Sequence, residues 1–386
     1  MPRKKAPEVL DVLVVGGGII GLACARELAR AGKRVEVLER KTAGAEASIA
    51  AAGMLAPLAE VPEPGPFLDA CRASRDLWPG WVAELSRETG LSIELDTSGT
   101  LLVALDSDEE ARLEAVAEAA EAAGELVEEI GHDHFRQWVP DASPGVRRIL
   151  RLPGDHRVDN VQACAVLASA ALAAGVTISY GFEVERIERT HGSGGGVRVW
   201  ARGDQREAEL LILAAGAWSG QIPGLPTLPV RPVRGQMLLL QGIDWPWRGC
   251  IRNRNGYAVR RGATGLLVGA TVEEAGFFCH PTVAGVESLL AFTRHVLPGL
   301  DAARLETAWA GLRPGTPDDL PLLGFLPGWP VLTATGHFRN GILLAPWTAR
   351  EVARQADGLA ASSEASGFSP SRFIEPGPVQ CRSVGV

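Results

Sequence analysis

The sequence predicts an α/β protein: a parallel sheet carrying helices, interrupted by a second, mixed α+β unit built on an antiparallel sheet. Three observations support this. The run Leu10–Val15 is apolar but for Asp11 and ends in Gly16-Gly17-Gly18, after which Ile20, Ala23, Cys24, Glu27 and Leu28 recur at helical spacing up to Gly32, and residues 34–40 read as a second strand. The same alternation returns later, with an alanine- and leucine-rich helix at 161–174 closed by Gly175, a strand at 176–180 and a buried strand at 210–214. Residues 233–268, by contrast, alternate apolar and polar side chains as antiparallel strands do, and residues 106–129 read as an acidic helix.

The expected organisation is a discontinuous dinucleotide-binding domain (residues 10–90, 150–225 and 310–370), a substrate domain (91–149 and 226–309) and a mobile tail (371–386). A chain of 386 residues with 46% hydrophobic composition can fill a core in each domain. A net charge of -8 and the absence of a dense Lys/Arg stripe argue against nucleic acid as a partner. The six cysteines show no CxxC spacing, and His132 and His134 have no companions to complete a metal shell, so no metal is expected and this pair reads as solvated loop. Arg3, Lys4 and Lys5 precede an apolar stretch in the manner of a signal peptide, but Asp11 and the glycines break the pattern and no small-residue cleavage site follows. The chain reads as cytoplasmic and unanchored in a membrane.

Gly16, Gly18 and Gly21 form GxGxxG between a strand and a helix, the context that gives this otherwise weak motif meaning. Gly16 permits the tight turn, Gly18 lets backbone approach a pyrophosphate, and Gly21 lets the helix lie against the strand, with the helix N-terminus facing the phosphates. Glu39, at the end of the second strand, is placed to accept hydrogen bonds from ribose hydroxyls and would repel a 2′-phosphate, which favours NAD or FAD over NADP.

Residues 43–60 (AGAEASIAAAGMLAPLAE) follow as a run of small side chains that allows close backbone approach to a bulky ligand. Together GGGIIGLACARELARAG, VLER and IAAAGML resemble the N-terminal signature of the glycine oxidase branch of the D-amino-acid oxidase family of flavoproteins. AGLRPGT at 310–316 and GHFRNGILLAP at 336–346 are similar to that family's C-terminal pattern. The resemblance covers residues 12–359. It implies a Rossmann-type FAD-binding domain interrupted by the substrate domain, a homo-oligomer, and a small amino acid and O₂ as reactants. Ile19, Ile20, Glu39, Arg40, Ala47, Ser48, Ala52, Gly53 and Met54 would contact FAD, Val184 through its backbone, and His337, Phe338, Arg339, Asn340, Gly341, Ile342 and Leu343 would line the flavin. Arg313 would hold the substrate carboxylate, with Arg339 beside the substrate and Tyr257 closing the pocket. No cysteine lies in GHFRNGILLAP, so the resemblance implies noncovalent FAD.

The chemistry agrees with these roles. A guanidinium pairs with a carboxylate through two hydrogen bonds, fixing an amino acid with its α-carbon aimed at the flavin N5, so that hydride leaves as the neutral amine becomes an imine. Gly311, Pro314 and Gly315 are expected to build a rigid turn around Arg313. The resemblance implies oxidation of glycine, and of sarcosine or small D-amino acids, with O₂ reduced to H₂O₂ and an imine or glyoxylate product that would feed thiazole formation in thiamine biosynthesis. The alternative is a D-amino-acid or sarcosine dehydrogenase with an acceptor other than oxygen. Two positions depart from the pattern: Asn255 stands where histidine is expected near the pocket mouth, and Trp347 replaces a small residue, where it would either narrow the site or meet another subunit.

Overall fold

A computed structural model describes residues 10–61, 63–190 and 195–374. The first sheet is built around five parallel strands in the order Val331–Thr335, Asp204–Leu213, Leu10–Val15, Val35–Glu39 and Thr177–Tyr180. From Val12 to Val15 the strand is an unbroken apolar run because it is covered on both faces, while Asp11 at its start pairs with Arg34 at 2.8 Å. Val12 and Val14 pack into the cluster formed with the helices, and Leu13 and Val15 into a second cluster with Phe182, Leu228 and Leu326. The helices Ile19–Arg30, Asn160–Ala173 and Gly341–Ala356 pack on one another over this sheet. Asp159 caps the second of them, its Oδ1 accepting from Val161 N and Gln162 N at 3.0 Å each.

The second sheet has eight strands, in the order Arg304–Gly315, Arg231–Gln241, Gly265–Gly269, Gly256–Arg261, Cys250–Asn253, Thr100–Ala104, Arg148–Leu152 and Glu128–Glu129. It is mostly antiparallel, with one parallel pairing between Cys250–Asn253 and Thr100–Ala104. Its strand Arg304–Gly315 pairs with Arg231–Gln241 along its whole length. The segment 310–315, expected in the cofactor domain, therefore lies in the antiparallel sheet, and the rigid turn expected around Arg313 is a strand.

Other departures have local causes. The acidic helix runs Ser107–Ala122 and stops short of 129, because Gly124 takes a left-handed φ of +70° and the chain then enters the strand Glu128–Glu129. His132 and His134 are exposed, but on the short helix His132–Trp138 rather than in a loop. The helix Pro66–Thr89, not anticipated from the pattern, supports Gly341–Ala356. Pro346 lies inside that helix, and beside it the Leu343 carbonyl accepts from Ser74 Oγ at 2.6 Å and Trp78 Nε1 at 2.9 Å rather than from Trp347 N, which turns to Ser74 Oγ. Trp347 belongs to the same joint. Its N–H donates to Ser74 Oγ at 3.4 Å, its ring meets Phe368 edge-on, and it lies outside the cavity lining, so it does not narrow the site. Of the expected tail, Arg372 is held by Asp318 at 2.8 Å, and residues 375–386, like Arg3 to Lys5, lie outside the described residues. No helix among the described residues is long and apolar enough to cross a membrane.

Asp155, in the turn before the strand His156–Val158, is fully buried, and neither carboxylate oxygen has a hydrogen-bond partner among the described residues. Burial, only partly offset by Thr100 and the guanidinium groups of Arg252 and Arg75, pushes its pKa up to about 7. Because an unfolded aspartate titrates near ~3.9, folding takes up a proton between that value and about 7, and stability falls as pH rises through this window. Asp155→Asn should therefore raise the thermal midpoint at pH 8 by a few degrees and lose that advantage toward pH 4; equal midpoints at pH 8 would contradict this account.

Candidate active site

One long cavity runs between the two sheets, from the glycine turn to the strand carrying Arg313. At its first end, Gly16 has φ +107° and a Cβ there would lie 2.4 Å from Ala214 O, while a Cβ on Gly21 would lie 1.9 Å from Gly16 O. These two positions admit glycine alone, because strand, turn and helix touch through bare backbone. Gly18 is less confined: its Cβ would meet only Ser48 Oγ at 3.3 Å, and it faces the cavity. The N-cap Gly18 offers no side chain to the helix starting at Ile19; Ser48 Oγ accepts from Ile19 N at 3.0 Å, and the rest of the N-terminus, with its dipole, is directed at the cavity. Glu39 is 8% exposed; its Oε2 accepts from Gly17 N and its Oε1 from Lys41 N, both at 2.7 Å. The carboxylate is thus fixed at the turn with lone pairs remaining for a ribose.

Nearly all the cofactor residues expected from the sequence line this cavity: Gly16, Gly18, Ile19, Ile20, Glu39, Arg40, Ala47, Ser48, Ala52, Gly53, Met54, Val184, His337, Phe338, Arg339, Asn340, Gly341 and Ile342. Gly21 and Leu343 do not. Gly21 acts behind the turn as a packing position, and Leu343 is 1% exposed in the helix core, its carbonyl engaged by Ser74 and Trp78. His337 is buried, its Nε2 lies 3.0 Å from Thr348 Oγ1, and burial pushes its pKa down to about 3, so it stays neutral.

Arg313, Tyr257 and Arg339 meet at the other end. Arg313 donates from Nη1 to the carbonyls of Thr271 at 3.0 Å and Arg234 at 3.4 Å, and among the described residues it has no carboxylate partner. Burial pushes its pKa down, the sign of a cation short of compensating charge. Its guanidinium lies across Gly235 on the neighbouring strand, where a Cβ would come within 2.3 Å of both terminal nitrogens. Tyr257 is 5% exposed and places its hydroxyl 3.4 Å from Met237 Sδ; burial pushes its pKa up, so it stays protonated. Phe338 N donates to Pro314 O at 3.0 Å, which ties the GHFRNG turn directly to the Arg313 strand.

Arg339 is committed differently. Its Nε and Nη2 donate to Glu60 at 2.6 and 3.1 Å, and Glu60 also accepts from Arg252 Nη1 at 2.6 Å. Burial alone would raise the Glu60 pKa, but Arg252 and Arg339 outweigh it and hold it at about 2. Glu60 was not anticipated; its only sequence signal is an acidic side chain closing a run of small residues. Asn255, expected near the pocket mouth, sits exposed at a hairpin turn, its N–H bonded to Asn253 Oδ1 at 2.9 Å, and does not line the cavity.

Residues 11–355 match the family described as FAD dependent oxidoreductase (DAO). The chain belongs to this family. It is 33% identical over 346 residues to a glycine oxidase of Bacillus licheniformis, covering 89% of this chain and 92% of that protein. It is 37% identical over 384 residues to the bifunctional protein ThiO/ThiG of Synechocystis sp., covering 96% of this chain and 56% of that protein. The chain thus spans about half the length of that relative. Its fold matches the crystal structure of glycine oxidase from Geobacillus kaustophilus with a TM-score of 0.87 and 32% identity, covering 95% of this chain and 99% of that one. As a member of this family the chain is an FAD-dependent oxidoreductase.

Because Arg313 occupies the space above Gly235, Gly235→Ala should leave the fold and bound FAD intact yet displace the guanidinium. A misplacement of about 1 Å costs on the order of 10²-fold in catalytic efficiency, which steady-state kinetics with the amine substrate would read; unchanged efficiency would show that Arg313 does not act from this position.

Proposed function

We propose that this protein oxidises glycine, and more weakly sarcosine and small D-amino acids, with O₂ as electron acceptor: glycine, O₂ and water give glyoxylate, ammonia and hydrogen peroxide by way of the imine. The single observation that carries this reading is the half-buried Arg313 guanidinium with no acid of its own among the described residues, set in the cavity that continues to the glycine turn. A site with an uncompensated cation is built to receive an anion. The planar fork of arginine suits a carboxylate through two parallel bonds, fixing both the acid and the direction of the α-carbon.

The residues present fit FAD. The helix N-terminus at Ile19, the bare backbone at Gly16 and Gly18 and the fixed Glu39 suit a pyrophosphate and an adenosine ribose without a 2′-phosphate. Val184 and the residues from His337 to Ile342 would hold the remainder, and no cysteine lines the cavity, so the group would be held noncovalently. When bound, FAD supplies the acceptor for the hydride leaving the α-carbon. Arg313 binds the carboxylate, the protonated Tyr257 adds a donor beside it, and the neutral His337 adds no charge to the cofactor side. Tyr257 and Met237 crowd the space beside the guanidinium, which favours an amino acid with little or no side chain. The similarity to ThiO/ThiG supports delivery of the imine to thiazole formation in thiamine biosynthesis, in the cytoplasm.

Under anaerobic conditions glycine should bleach the flavin band near ~450 nm of the purified yellow protein, and admission of air should restore it with stoichiometric hydrogen peroxide. Bleaching by sarcosine or D-alanine but not glycine would overturn the substrate assignment. Bleaching by glycine with no reoxidation in air would replace O₂ by another acceptor.

A further inference from the structure

Two guanidinium groups line the substrate end of the cavity, and they are in different electrostatic states. Arg313 has only carbonyl partners, whereas Arg339 is held through two nitrogens by Glu60, whose carboxylate is 6% exposed. Behind this pair, Arg252 donates to the same carboxylate from outside the cavity lining. The pocket therefore presents one uncompensated cation, with an ion pair beside it whose anionic half also faces the cavity.

We propose that Glu60 makes this pocket selective for substrates bearing a single carboxylate, by holding Arg339 as a compensated pair that cannot receive a second anionic group. The proposal rests on the reading of Arg313 as the carboxylate clamp. A substrate with one carboxylate satisfies Arg313 and meets no further demand. With a second carboxylate on its amine side, a substrate would have to pair with Arg339 while lying against Glu60, in a site where little water screens the repulsion. Discrimination of this kind comes from a repulsive element as much as from an attractive one. Glu60 is thus a specificity-determining residue that acts through the charge of Arg339.

The test is isothermal titration calorimetry of the FAD-loaded protein with acetate and malonate, which carry one and two carboxylates. The parent protein should bind acetate more tightly than malonate. Glu60→Gln keeps the shape and removes the charge, and it should shift the malonate-to-acetate affinity ratio toward malonate by roughly tenfold or more. Adding Arg339→Met to that variant should abolish the gain. If Glu60→Gln fails to retain FAD, Arg339→Met alone decides: removing the cation leaves the Glu60 charge facing the cavity, so the ratio should move further toward acetate. Tighter binding of malonate than acetate by the parent, an unchanged ratio in Glu60→Gln, or a shift toward malonate in Arg339→Met would each overturn the proposal. A parent protein that binds acetate over malonate but is not reduced by glycine removes the glycine reading and leaves this one standing. Failure to bind either acid overturns both.

Discussion

The arrangement depends on one half-buried cation left without a counter-charge. Among the described residues, Arg313 has hydrogen bonds to two backbone carbonyls and no carboxylate. Placing a charge this way is costly, since removal from water is not repaid by a partner within the protein. The surroundings hold it nonetheless. The strand pairing between Val233 and Arg313 fixes the backbone, Gly235 leaves room for the guanidinium to lie flat across the neighbouring strand, and Gly269 leaves room for Tyr257 and Met237, whose atoms a Cβ there would meet at 2.8 and 2.3 Å. The sheet is thus thinned by glycine where the active residues cross it.

The cofactor end obeys a similar geometric rule. Gly16 and Gly21 are in such close contact that any side chain would push helix from strand, and the helix N-terminus is thereby brought to the rim of the cavity. The two ends, contributed by different sheets, are kept in register by the bond from Phe338 N to Pro314 O. Phe338 takes a left-handed φ of +46°, which turns the chain out of the strand Val331–Thr335 and toward the helix Gly341–Ala356. The two ends of the cavity are therefore held in register by backbone contacts.

Much of this was legible in the sequence because it is written in local patterns. The Leu10–Val15 run, the spaced glycines and Glu39 specify a strand, turn and helix through short-range sterics, and Arg313, Tyr257 and Arg339 followed from the resemblance carried by two distant motifs. What was missed depends on pairings across long separations. AGLRPGT looks like a turn until its partner strand is known, since Gly311 faces Gly235 and Pro314 faces Pro232 only in the folded sheet. Glu60 has no local signature, because its role comes from Arg252 and Arg339, far away in the chain. Trp347 and Asn255 drew attention as departures from a pattern, yet one packs between helices and the other lies exposed at a hairpin. Deviation from a motif does not tell which way a side chain points.

The central claim is that Arg313 lacks an internal counter-charge because the substrate supplies it. The most direct measurement is the specificity constant for glycine of Arg313→Ala, taken together with its FAD content. Loss of a buried charge pair costs about 2 to 5 kcal/mol, so the constant should fall by at least roughly 30-fold while FAD remains fully bound. Parent-level turnover of glycine by a fully loaded Arg313→Ala protein would contradict the account.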